Sequence, residues 1–360
     1  MRRWFIYCFL FFFAVTACEE IYTPDIETRD SVIVVDARIV YGKNDNVIRI
    51  SESRGFNDDN YYYLPVSGAK VSLIIMEDNE IELVESSDGV FPLNFSLSPQ
   101  WEYKIKISYK GDTFESTYET VPPLPDLDTV YGVAENKVIK ISGNNDVNDI
   151  REIPGVQLYT DISHEKEMPY YRFTARKVLQ YSYPVEIPWG SEILVEPMYS
   201  WLSSYPRDLY NIAAPAEFST NKNIVKHPLF FMEQKIIIRP DQSFYGWILI
   251  LNQFGLSESA YNYYNDLNKQ LGSEGRLFDP LYVQARNNLK CTSNPNQLIL
   301  GNFEISSYKE HRFFINYISR EQGYLIKPIP YFYEIPELGE QLSNPPDFWE
   351  SRSKTYPNEK

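Results

Sequence analysis

In a chain of 360 residues, 49 acidic against 34 basic side chains (a formal charge of −15) argue against nucleic acid as a partner, because such binding draws on Lys and Arg contacts to phosphate. The same balance disfavours adsorption to anionic lipid by charge alone. Three cysteines are too few for a disulfide framework, so buried area must hold the fold, and the 16% of aromatic residues, led by 29 tyrosines, favour pleated sheet as its source.

The amino terminus has three parts. Arg2 and Arg3 form a positive flank, residues 4–15 are apolar, and Thr16 and Ala17 lead to Cys18. Twelve apolar residues are too few for a membrane span, which needs roughly 20, but suit the core of a secretory signal. Val15-Thr16-Ala17-Cys18 resembles the lipobox of bacterial lipoproteins, which implies diacylation of the Cys18 thiol and cleavage before it. The expectation is a signal peptide over 1–17 and a lipidated tether over 18–30, with the acyl chains (palmitate in kind) as the membrane attachment. Glu19 and Glu20, directly after the cysteine, resemble the surface-export signal of Bacteroidetes lipoproteins. The expected location is the outer membrane, facing the cell exterior.

From 31 to 121 the chain repeats short alternating runs between turn residues. Ile33, Val35, Ala37 and Ile39 mark one face of a strand, and Ala69, Val71, Leu73 and Ile75 mark another. Residues 103–110 alternate over eight positions, and Lys110-Gly111-Asp112 turns them into a hairpin. This predicts an N-terminal β-sandwich of immunoglobulin-like or transthyretin-like type. Pro122, Pro123 and Pro125 then mark a Pro-rich linker over 122–126.

The C-terminal domain, 127–335, is again expected to be β-rich, with strands near 138–142, 170–179, 235–239, 247–251 and 312–315. One helix is expected over 257–271. Ser257 caps it, Glu258 suits its first turn, Ala260, Tyr261, Tyr264, Leu267 and Leu271 recur at helical spacing, and Gly272 ends it. The tail, 336–360, is expected to be loosely ordered. The predicted fold class is therefore mainly β: two β-sandwich-like domains, the second with one inserted α-helix.

Four features in order resemble a known family. They are the stretch from Cys18 through the first strand, the Val121-Pro122 end of the first domain, the helix followed by Gly275-Arg276-Leu277-Phe278-Asp279-Pro280, and the segment from Asn294 to Gly301-Asn302-Phe303. Together they are similar to the Bacteroidetes outer-membrane lipoproteins of the family called domain of unknown function 4249. That family usually has Gly-Tyr-Phe where this chain has Gly301-Asn302-Phe303. The resemblance implies an accessory role beside a TonB-dependent outer-membrane receptor and transfers no catalytic residue. It also implies that Cys291 matches a family cysteine whose partner position, near Ser200-Trp201, holds no cysteine here.

Motifs for chemistry are sparse. His164, His227 and His311 lie far apart, without the close ligand pairs of zinc sites. There is no Gly-x-Ser-x-Gly elbow, phosphate loop or dinucleotide turn. The acidic loops at 57–60 and 144–149 lack the alternating ligands of an EF-hand and read as turns. The reading is of no catalytic residues, no metal and no cofactor. The most suggestive constellation is aromatic: Tyr181, Tyr183, Trp189, Tyr199, Trp201, Tyr205 and Tyr210, interleaved with four prolines, read as loops carrying rings. Trp189, Tyr199, Trp201 and Tyr205 are the candidate contacts for a ligand or partner; the other reading of these rings is a satellite core. The leading expectation is an accessory lipoprotein working in uptake. A stand-alone glycan- or protein-binding adhesin is the alternative, and a surface hydrolase without a motif is the second.

Overall fold

The computed structural model describes residues 31–53, 64–142, 148–163, 170–206, 209–216, 223–233, 243–272, 285–319, 323–328 and 341–342. Cys18, Glu19 and Glu20, the acidic loop at 57–60, most of that at 144–149, the expected strand at 235–239 and His164 lie outside them.

The protein is mostly β. Alternation in the first third yields β1 (Ile33–Val40), β2 (Val47–Glu52), β3 (Leu64–Pro65), β4 (Lys70–Ile75), β5 (Asn79–Leu83) and β6 (Val90–Pro92). They are followed by β7 (Glu102–Tyr109), β8 (Asp112–Ser116) and β9 (Glu119–Thr120). The hairpin at Lys110-Gly111 forms as read: both residues have positive φ, 49° and 90°, and Tyr109 pairs with Asp112.

The later strands are longer than local patterning suggested. They are β10 (Thr129–Ser142), β11 (Asn148–Ile162), β12 (Tyr170–Trp189), β13 (Glu192–Ser204), β14 (Asn211–Ala213), β15 (Ile224–Glu233) and β16 (Ser243–Leu256). The helix α1 (Glu258–Leu271) comes next, then β17 (Leu289–Cys291), β18 (Ile299–Ser319), β19 (Gly323–Pro328) and β20 (Gln341–Leu342).

The described residues form three sheets. The largest runs β20-β13-β12-β16-β18-β1-β2-β3, and smaller sheets run β10-β11-β15 and β17-β8-β7-β4-β5. One pairing organises the molecule: β18 lies parallel to β1, Ile33 against Ile299 through Val40 against Ser306. A parallel pair needs a long connection, and here residues 41–298 form it. Gly301 makes the close approach possible. Its φ is +93°, and a Cβ there would come 1.8 Å from the Val35 carbonyl oxygen.

Each end of the large sheet is packed by a smaller one. The first core joins Val35, Ala37, Ile39 and Ile50 to Val71, Leu73, Tyr103, Ile105 and Phe114 across the layers. It also takes Leu289, Cys291, Ile299, Phe303 and Ile305, so residues 31–121 do not complete it alone. The second core sets Tyr171, Phe173, Leu249 and Leu251 against Val156, Leu158, Leu229 and Met232. The Pro-rich stretch lies against the sheet: Gln253 donates to the Pro125 carbonyl at 3.0 Å, and Leu124 packs on the second core.

The helix forms where its signals placed it. Ser257 Oγ accepts from the Ala260 amide at 3.2 Å, and Ala260 and Tyr264 are buried. Gly272 ends it with φ of −80°, so the left-handed freedom of glycine is not used.

The segment from 181 to 204 departs from expectation. It is a hairpin of β12 and β13 rather than loops, with Pro184 paired to Pro197 and Trp189 to Glu192. β16 accompanies β12 only as far as Ser182. Pro184 and Pro188 lie beyond that point, where no second neighbouring strand among the described residues asks for their missing N–H.

Candidate functional site

The period that buries Val35, Ala37 and Ile39 turns Val34, Asp36 and Arg38 to the opposite face of β1. Register extends this polar face across three strands. Asp36 lies against Arg49 on β2 and Asn302 on β18, Val34 against Ser51, and Arg38 against Glu304. Such a face would ordinarily meet water. Here α1 lies over it, and Tyr263, Tyr264 and Leu267 enclose a cavity of about 420 Å³ with these residues and with Tyr210, Asp88 and Gly89. That volume falls within the range of small-molecule sites.

Beneath the helix the charges are engaged. Glu304 is 1% exposed and accepts from Arg172 Nη2 at 3.2 Å and from the Tyr264 hydroxyl at 2.6 Å. The Arg172 guanidinium sits over the rings of Phe254 (4.3 Å) and Tyr264 (5.0 Å). Burial opposes the Arg172 charge, but Glu304 outweighs it and holds the pKa above the ordinary arginine value. Burial, and then Glu304, push the Tyr264 phenol well above its usual range, so Tyr264 remains a donor. Nearer the cavity, Arg38 forks onto Asp36 with Nε at 2.7 Å and Nη2 at 2.8 Å. That fork raises the Arg38 pKa.

Not every buried polar atom of these strands is satisfied. Among the described residues, Arg172 Nε, Asn302 Nδ2 and Ser306 Oγ on this face are buried without a partner, as is Ser307 Oγ on the opposite face of β18. Asn302 lines the cavity, and its Oδ1 accepts from the Asn288 amide at 3.3 Å. Arg49 is exposed and has no hydrogen-bond or ion-pair partner among the described residues. Its strand neighbour Asp36 has both oxygens on Arg38.

The candidate rings whose side chains are described, Trp189, Trp201 and Tyr205, are not brought together. Trp189 is 69% exposed at the hairpin turn, and Tyr205, 62% exposed, lies past the end of β13. Twelve residues of strand separate Ser204 from Glu192, roughly 40 Å at about 3.3 Å each. Trp201 is a correction: it is fully buried and offers no surface for a partner. The cause is its row in the sheet, Trp201 against Gln180 against Gly246, where β16 still flanks the hairpin. The Tyr199 side chain lies outside the described residues, although its backbone pairs with Ser182 and Leu342.

The described histidines stand apart from the cavity. His227 Nε2 bonds Asn211 Oδ1 at 2.7 Å and His311 Nε2 bonds Gln253 Oε1 at 2.8 Å. Burial lowers both pKa values to about 4, which keeps the rings neutral at pH 7. Cys291 is free and buried in the first core, against Phe114. Ser200 sits on the row of Tyr181 and Phe244, at the other end of the large sheet, so the cysteine pairing implied by resemblance joins positions that this fold keeps apart. Among the described residues, no helix is long and apolar enough to cross a membrane, and no group of three or more His, Cys, Asp or Glu is placed to hold a metal.

Sequence reasoning missed Asp36, Arg38, Arg49, Asn302 and Glu304 as a set. A signal for part of it existed, since Asp36 and Arg38 are charged positions on the second face of a strand otherwise rich in Ile and Val.

What fold and site define is a mostly β protein with a helix-roofed polar cavity on the outer face of its main sheet. The model of the family described as "Domain of unknown function (DUF4249)" matches residues 19–312, and the chain belongs to that family. No curated protein and no solved structure matches it.

Proposed function

We infer that the protein is a non-enzymatic, lipid-anchored accessory lipoprotein of the bacterial cell surface, which captures a small ligand in the cavity beside a TonB-dependent outer-membrane receptor. The observation that carries this reading is the cavity and its place in the chain. Its lining begins at Val34, sixteen residues after the lipobox Cys18. At about 3.5 Å per extended residue, a lipid on Cys18 keeps the site within roughly 55 Å of the bilayer. Confinement at that distance raises the effective concentration of captured ligand beside a membrane receptor. Glu19 and Glu20 favour the outward leaflet.

Solubilising the outer membrane at native expression and recovering the protein tests the partnership. A TonB-dependent receptor should co-purify; recovery of the protein alone counts against it. Cys18→Ala should shift a folded protein into soluble fractions, and retention in the membrane would remove the lipid anchor from the reading. A second reading, an adhesin, is favoured by the exposed Trp189, Ile193 and Val195 at the end of the β12–β13 hairpin. Glycan-array binding that disappears in Trp189→Ala would move the function there.

A further inference from the structure

We propose that the helix-roofed cavity binds the carboxylate of a small acidic ligand, with the Arg49 guanidinium as its principal contact. The proposal rests on the capture reading and names the class of ligand captured. It follows from an accounting of donors and acceptors around the cavity.

Three carboxylates line it, and two are already engaged. Glu304 accepts from Arg172 and Tyr264, and Asp36 accepts both bonds of the Arg38 fork. The third, Asp88, is exposed at the rim. On the donor side, Arg49 has all five N–H groups unspent among the described residues, and the Asp36 fork leaves Arg38 Nη1 free. Donors therefore exceed acceptors, and a ligand that completes the site must bring acceptors. A planar carboxylate matches a guanidinium with two parallel bonds. Asp88 at the same mouth disfavours a second negative charge, which selects a carboxylate over a phosphate dianion.

The opposite wall sets the rest of the ligand. Tyr263 and Tyr264 lie 5.8 Å apart between ring centroids, and Tyr210 and Tyr264 4.8 Å. Together with Leu267 they offer an apolar surface for a ring or short aliphatic body. Two sources supply such a molecule: an acidic sugar and the free carboxyl end of a short peptide.

Saturation-transfer NMR and calorimetry on the full-length protein, solubilised with its lipid, separate them. The probes are digalacturonate with its neutral counterpart galactobiose, and Gly-Gly-Phe with its C-terminal amide. At least one acid should bind about tenfold or more tightly than its neutral partner, and which one names the source. Arg49→Gln should weaken that acid by about 10- to 100-fold, the scale of one charge-assisted contact, weaken the neutral partner by clearly less, and leave the melting temperature unchanged. Arg49→Lys should restore part of the affinity. The proposal is overturned if neither acid binds at ~10 mM, if acid and neutral forms bind alike, or if Arg49→Gln leaves acid binding intact. Receptor recovery is read separately with the wild-type protein: no receptor recovered while the acid still binds fails the partnership and leaves the site standing, and a recovered receptor with no acid binding fails only the site.

Discussion

The two ends of the large sheet expose opposite kinds of surface. Beside β1 a polar face is roofed by a helix, and its charges are matched in pairs except at Arg49 and at Asp88 on the rim. At the β12–β13 hairpin, Trp189, Ile193 and Val195 are bare, and nothing from Val178 to Pro206 is basic while Glu186, Glu192 and Glu196 are acidic. The strand directions set these regions far apart. β18 runs from the cavity towards Ile315, which pairs with Trp247, which in turn pairs with Leu179, and the hairpin continues ten residues further. Burying ions and leaving polar atoms unpaired weakens a fold relative to an apolar face, whereas bare rings at a tip hardly touch stability. The cavity is therefore the place where the protein gives up stability for chemistry: its buried ions should answer to mutation in stability, and the exposed Arg49 in binding.

The sharpest break of the comparison is Glu304→Ala. It leaves the Arg172 guanidinium buried at 8% side-chain exposure, with Nε already unpartnered. Removing one member of a buried pair costs roughly 3–5 kcal/mol, read as a fall in the denaturant midpoint at constant slope. Asp36→Ala is the control in the same cavity. Its fork to Arg38 is half-exposed, and such pairs contribute about 0–1 kcal/mol. Equal losses for the two variants would mean that the Arg172–Glu304–Tyr264 set is no more buried in solution than the fork beside it.

How much of this was readable beforehand follows from range. The hairpin at Lys110-Gly111 and the helix from Ser257 to Gly272 rest on neighbours a few residues apart, and both stand where the pattern put them. The core expected within 31–121 takes in later residues, because the free edge of β1 is filled by β18, more than 250 residues later. No local pattern encodes that partner. The same distance hid the site: Asp36 and Arg38 are visible as charges in an apolar strand, but Asn302 and Glu304 become their neighbours only through the parallel register. The motif Gly301-Asn302-Phe303 carried a physical reason that sequence alone did not expose. Gly301 clears the Val35 carbonyl, Phe303 enters the first core, and Asn302 faces the cavity between them.

Within the aromatic segment the comparison turns on two tryptophans that read alike. Trp201 is fully buried. Trp201→Ala should therefore cost about 3–5 kcal/mol, the scale of deleting a large ring from a packed interior. Chemical denaturation measures it, and a loss under 1 kcal/mol would mean that the hairpin base opens in solution.

Trp189→Ala is the smallest expected effect and the one that isolates the hairpin tip. At 69% exposure, opposite Glu192 and beyond Ser243, where β16 begins, the ring buries too little area for its loss to exceed about 0.5 kcal/mol. A melting temperature unchanged from wild type would leave Trp189 as a surface ring whose only consequence is contact with something else. Receptor recovery and glycan binding should then be measured with this variant beside Arg49→Gln. A receptor lost with Trp189→Ala but kept with Arg49→Gln would divide the molecule into a distal arm that docks and a proximal cavity that holds. Loss with Arg49→Gln alone would place both tasks at the cavity, and the arm would keep only its share of the sheet.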